Sequence, residues 1–158
     1  MIARAALALG LLASGCLKAI APEVGPLEVA CTGASCVDGG SAGCSNADSD
    51  PASSVGFGAE ILDGVFRRGG CTKCHSGDGI GLAQSGLELS SYATLRTGGG
   101  RSGARVVVDF MPCQSVLAQK VGTAPPFGRR MPYNGPPYLA PADIQLIEDW
   151  LAEGARDN

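Results

Sequence analysis

The chain has 158 residues, a formal net charge of −3, 45% hydrophobic residues and 24 glycines, which bounds it to one ordinary domain with appendages. It carries neither a basic stripe nor a polyacidic tail, and so lacks the charge pattern of a nucleic-acid binder. One Trp, three Tyr and four Phe beside so many glycines offer only a thin core for a domain of roughly 100 residues, unless a buried prosthetic group thickens it.

Residues 1–15 read as an export signal. Arg4 supplies the positive flank, residues 5–13 the apolar run, and small residues follow; the run is too short to span a bilayer. Ala13-Ser14-Gly15-Cys16 resembles the bacterial lipobox, which makes Cys16 the expected lipidated first residue of the mature chain. Ala19-Ile20-Ala21 is a rival cleavage site, but Pro22 directly after it disfavours the cut because proline has no N–H and a fixed φ.

Residues 16–54 are rich in Gly, Ala, Ser, Asp and Pro and show no helical or alternating apolar period, the composition of a flexible lipid-anchored linker. The excess acid of the chain lies here, in Glu23, Glu28, Asp38, Asp48 and Asp50 against Lys18. Asp48 and Asp50 alternate with small residues, yet the Gly and terminal Glu of a calcium loop are missing, and a solvated acidic linker is the expectation.

The domain is expected over residues 55–158. Phe57, Ile61, Leu62, Val65 and Phe66 fall on one face at helical spacing, and Gly69-Gly70 stops that helix. Residues 76–86 read as a glycine-rich loop, 91–97 as a short helix ended by Gly98-Gly99-Gly100, and 106–108 as a β-branched run too short to build a sheet. A further short helix is predicted over 115–121. In the last helix Pro141 suits the first position, Asp143 suits the helix dipole, Ile144, Ile147, Trp150 and Leu151 form one stripe, and Gly154 closes it.

Between the first helix and the loop stands Cys71-Thr72-Lys73-Cys74-His75. Two thiols three positions apart suit addition to the two vinyl groups of one porphyrin edge, and the adjoining imidazole then ligates the iron. Cys71, Cys74 and His75 are therefore the candidate cofactor-binding residues. A zinc knuckle would need a second ligand pair, and a thioredoxin-like pair would need a βαβ context; the sequence has neither.

His75 is the only histidine of the chain. Bis-histidine ligation within one chain is excluded, as are catalytic triads and zinc triads that need another imidazole. A sixth ligand would come from methionine, from an unusual donor such as Lys, or from solvent, and beyond the leader only Met111 and Met131 remain as thioether donors. Met131 lies in Ala124-Pro125-Pro126-Phe127-Gly128-Arg129-Arg130-Met131-Pro132, a stretch suited to a loop draped over a haem face, and is the expected sixth ligand. Met111 ends an apolar run two residues before Cys113 and is the fallback. Arg129 and Arg130 are candidates to meet haem propionates, and Arg67, Arg68 and Lys73 to face a redox partner. With Cys16, Cys71 and Cys74 set aside, Cys31, Cys36, Cys44 and Cys113 remain as an even set for disulfides, and three pairings are open.

This ordering resembles the small class I cytochrome c domains, in particular the monohaem, planctomycete-like kind found in bacterial lipoproteins. The matching pieces lie between Phe57 and Arg156: the helix before C-T-K-C-H, Gly86-Leu87-Glu88-Leu89, Ser115-Val116-Leu117, Arg130-Met131-Pro132, and Ile144 through Trp150-Leu151 into Gly154-Ala155. The resemblance implies an all-α fold with the first and last helices packed beside one covalent haem c, thioether bonds at Cys71 and Cys74, and axial ligation by His75 and Met131. Cys113 is an added thiol, and no proline closely follows His75 to mark the partner of its imidazole.

The expectation is a membrane-anchored monohaem electron carrier facing the periplasm, and not an enzyme, that docks transiently with redox proteins of the cell envelope. Leu17 after Cys16 slightly favours the outer membrane. The competing readings are a haem enzyme or gas or peroxide sensor with a labile sixth ligand, and a haem domain that serves as a docking module.

Overall fold

The computed structural model describes residues 44–158. The leader, the lipobox with Cys16, and Cys31 and Cys36 lie outside the described residues. Every regular element among the described residues is helical, in accord with the all-α expectation. A leading helix, Phe57–Arg67, is followed by α1 (Cys71–Cys74), α2 (Ile80–Ser85), α3 (Tyr92–Thr97), two 3₁₀ turns (Gly103–Val106 and Pro112–Gln114), α4 (Val116–Val121) and α5 (Pro141–Ala152).

The leading helix is wound wider than an α-helix: Ile61 N–H bonds Gly56 C=O at 3.3 Å and Arg68 N–H bonds Asp63 C=O at 3.4 Å, both five residues back. Wider winding aligns residues spaced by four to five, so Phe57, Ile61, Val65 and Phe66 are all buried while Leu62 is only half-buried. Gly69 must lack a side chain, because a Cβ there would lie 2.6 Å from Val65 O and 2.9 Å from Leu139. Gly70, at φ 75°, then turns the chain into α1.

The leading helix packs on α5. Phe57 and Trp150 have ring centroids 5.5 Å apart, and Tyr92 of α3 stands edge-on to Phe57 at 5.3 Å. Trp150, Ile147 and Leu151 are fully buried. Polar atoms around this seal are paired: Trp150 Nε1–H donates to Arg156 O at 3.0 Å and Tyr92 O–H to Ala155 O at 3.0 Å. The chain end also serves the first helix, since Asn158 Oδ1 accepts Phe57 N–H at 3.3 Å. Arg68 and Asp143 join the far end of the leading helix to the start of α5.

Two expectations are corrected. Residues 80–85 form helix α2 rather than continuing a loop. Gly86 at φ 66° ends that helix, Ser85 Oγ donates to Gly81 O at 2.6 Å, and Gly79 approaches α1 so closely that a Cβ would sit 2.3 Å from Cys74 O. Glycines that read as loop punctuation here permit close backbone packing.

The folded domain also begins before Val55. Residues 44–54 are held by a Cys44–Cys113 disulfide and by Asn46 Oδ1, which accepts Cys113 N–H at 3.0 Å. Ser49 donates through N–H and Oγ to the two carboxylate oxygens of Asp149 at 2.8 and 2.7 Å. Asp149 is thus a buried carboxylate whose oxygens are occupied by hydrogen bonds, Gln145 Nε2 supplying a third at 3.0 Å.

The Cys44–Cys113 bridge closes a segment of 69 residues. Replacing both cysteines by serine is expected to lower unfolding stability by about 2–5 kcal/mol in denaturant titrations; a loss below roughly 1 kcal/mol would show that the polar contacts hold the segment unaided.

Candidate haem attachment site

The single turn of α1 carries Cys71 and Cys74, and His75 follows as its C-terminal cap with its N–H on Cys71 O at 2.9 Å. Both cysteines are free thiols, in contrast to the bridged Cys44 and Cys113. Cys71 is half-buried and packs on the main hydrophobic cluster, while Cys74 is exposed. Burial, opposed by a backbone hydrogen bond and reinforced by Cys74 and Asp143, pushes the Cys71 thiol up to about 11.

His75 is oriented by the segment after α2. Its Nδ1 lies 3.1 Å from Leu87 O, and its backbone carbonyl accepts Leu89 N–H at 2.7 Å. A carbonyl oxygen only accepts, so Nδ1 is the donor of this contact and Nε2 is the ring nitrogen that it leaves free. Nothing among the described residues bonds Nε2. Gly81 of α2 lies against this edge: a Cβ there would come within 3.0 Å of both Nε2 and Cε1 and 2.8 Å of Cys74 O. The turn therefore presents two thiols and one oriented imidazole nitrogen, a set able to form two covalent bonds and one coordinate bond.

Leu87 and Gly81 are the site residues that sequence reasoning did not single out for these roles. Leu87 contributes only its carbonyl, which any residue type carries, so no side-chain signal marks it. Gly81 is marked only as one glycine of a glycine-rich stretch.

Of the two candidate methionines, Met131 is partly buried against the same hydrophobic cluster that Cys71 and Leu87 border. Met111 instead starts the turn Pro112–Gln114, and its carbonyl accepts Ser115 N–H and Oγ at 3.1 Å. The Met131 segment runs back along α4: Met131 N–H donates to Lys120 O at 2.7 Å, and Arg130 Nε to Val121 O at 2.8 Å. Arg129 lies over the Tyr133 ring at 5.1 Å and Arg130 over Tyr138 at 4.2 Å. Arg67 pairs with Asp63 and Arg68 with Asp143, whereas Lys73 is exposed.

Among the described residues no three His, Cys, Asp or Glu side chains gather as a direct metal chelate, and no helix is long and apolar enough to cross a membrane. Comparison with known proteins yields no family model that matches the chain, and no curated protein or solved structure that matches it significantly.

A thiol at about 11 is almost wholly protonated at neutral pH, with roughly one thiolate in ten thousand at pH 7. In haem-free polypeptide at pH 7, iodoacetamide is therefore expected to alkylate Cys74 at least about tenfold faster than Cys71, with Cys71 reactivity rising as pH approaches its pKa. Peptide mapping of labelled protein reads the order; equal rates would mean that Cys71 is not shielded as the structure places it.

Proposed function

We propose that this chain is a membrane-anchored, monohaem c-type cytochrome that carries single electrons between redox proteins on the periplasmic face of the cell envelope. The observation that carries this reading is the oriented His75. Its Nδ1–H is committed to Leu87 C=O, its Nε2 has no partner among the described residues, and it stands on one turn with two free thiols.

The residues present fit the group. Gly81 keeps a side chain away from the Nε2 edge of His75, where any Cβ would crowd the ring. Cys71 reaches the apolar cluster from the same turn, so a flat apolar ring held there extends a core that is thin in aromatic residues. Haem c, when bound, supplies one-electron ferric/ferrous chemistry.

The chain's own part is to hold and tune. Cys71 and Cys74 provide covalent attachment, and His75 provides an imidazole whose ring plane is set by the Leu87 carbonyl. Met131 would supply a soft, neutral thioether to the iron, which would favour the reduced metal and leave no site open to a substrate. A filled position suits electron passage rather than turnover of a substrate. Residues 16–43 supply the anchor and reach by composition: Cys16 is the lipidated residue and the Gly/Ala/Ser-rich segment the spacer.

Two measurements test the reading. Intact mass of protein recovered from its native envelope is expected to show one covalent haem and a lipid-modified Cys16; unmodified Cys71 and Cys74 would overturn it. The ferric protein is expected to show the weak far-red charge-transfer band of methionine ligation. Met131→Ala should abolish that band, lower the reduction potential by on the order of 0.1 V or more, and open the reduced iron to CO. Wild-type protein that lacks the band and binds CO rapidly would replace the carrier by an open-site haem enzyme or sensor.

A further inference from the structure

We propose that Lys120 is a positioning residue that straps the Met131 segment shut from inside its own loop; this rests on the haem reading above. Lys120 lies in the last turn of α4, and its backbone C=O accepts Met131 N–H at 2.7 Å. Its side chain turns into the intervening loop, where Nζ donates to Phe127 O at 2.8 Å and also to Arg129 O. The same ammonium sits 5.1 Å from the Phe127 ring centroid, with Arg101 at 4.8 Å from that ring. One residue therefore holds the nine-residue loop 122–130 at its end through the backbone and at its middle through the side chain.

The need for a strap follows from the loop's composition. Pro125 and Pro126 have no N–H to donate, and the loop contains no regular structure that would satisfy its carbonyls. Gly128, at φ 59°, turns the chain around the ammonium, with its Cβ position 3.8 Å from Nζ. Charge-assisted bonds to two carbonyls are stronger than neutral ones. Removing the ammonium leaves those carbonyls to water and raises the population of an open loop in which Met131 is displaced.

Exogenous imidazole competing for the iron reads that population directly, because apparent affinity scales with the competent fraction. Lys120→Met, which preserves the stem and removes the donors, is expected to tighten imidazole binding to ferric holoprotein at least about tenfold and weaken the far-red band. Lys120→Arg should return the affinity to within about threefold of wild type. Arg96→Met, which breaks the Arg96–Asp109 pair away from the loop, should leave it unchanged. Lys120→Met protein with wild-type imidazole affinity, or equal tightening in Arg96→Met, would overturn the strap. Without any variant, amide exchange in wild-type holoprotein should protect Met131 N–H as well as α4; exchange at free-loop rate would also overturn it. Wild-type protein without covalent haem, or without the band, would overturn the haem reading itself.

Discussion

The rest of the molecule depends on the crossing of the leading helix with α5, closed by the rings of Phe57, Tyr92 and Trp150. Three aromatic side chains from three separate segments meet there, and such contacts contribute about 0.5–1.5 kcal/mol each beyond the area they bury. Gly69, just past the leading helix, has no Cβ, and Leu139, on the approach to α5, packs where a side chain would otherwise stand. The crossing thereby sets where α1 begins and which way its thiols face.

From that anchor the site is assembled mostly by main chain. His75 is clamped by two main-chain contacts from the strandless segment 87–89: its ring meets Leu87 C=O, and its own backbone C=O accepts Leu89 N–H. Helix α2 lies close because Gly79 and Gly81 leave no Cβ to separate it from Cys74 and His75. A backbone clamp sets the ring plane of the imidazole without depending on a second ionisable side chain.

The Met131 side is built differently, by cations acting on carbonyls and rings. Lys120, Arg129 and Arg130 each hold a loop carbonyl or an aromatic face, and no acidic residue occurs between Asp109 and Asp143. On the opposite flank, carboxylates organise the chain: Asp149 and Glu153 of the last helical region receive Ser49 and Val55 from the amino-terminal segment. A single chain thus uses its two charge signs to tie down two different non-helical stretches.

Helix positions and the Cys71–His75 motif were legible in the sequence, because both are local. The apolar spacing of Phe57, Ile61, Val65 and Phe66 and the Pro141 start of α5 each act within one or two turns. Three features were not legible. Helix α2 is short and glycine-containing, so its formation rests on packing against α1 rather than on propensity. Residues 44–54 read as linker because their composition is polar, yet partners at Cys113, Asp149 and Glu153, far along the chain, hold them in place. The imidazole's partner is a backbone carbonyl, invisible in any side-chain pattern. By itself the sequence determined which atoms the Cys71–His75 motif offers for chemistry, two thiols and one imidazole, and that two thioethers lie beyond the leader. Only the tertiary structure decided how they are aimed, because direction comes from carbonyls and missing Cβ atoms brought close by the fold.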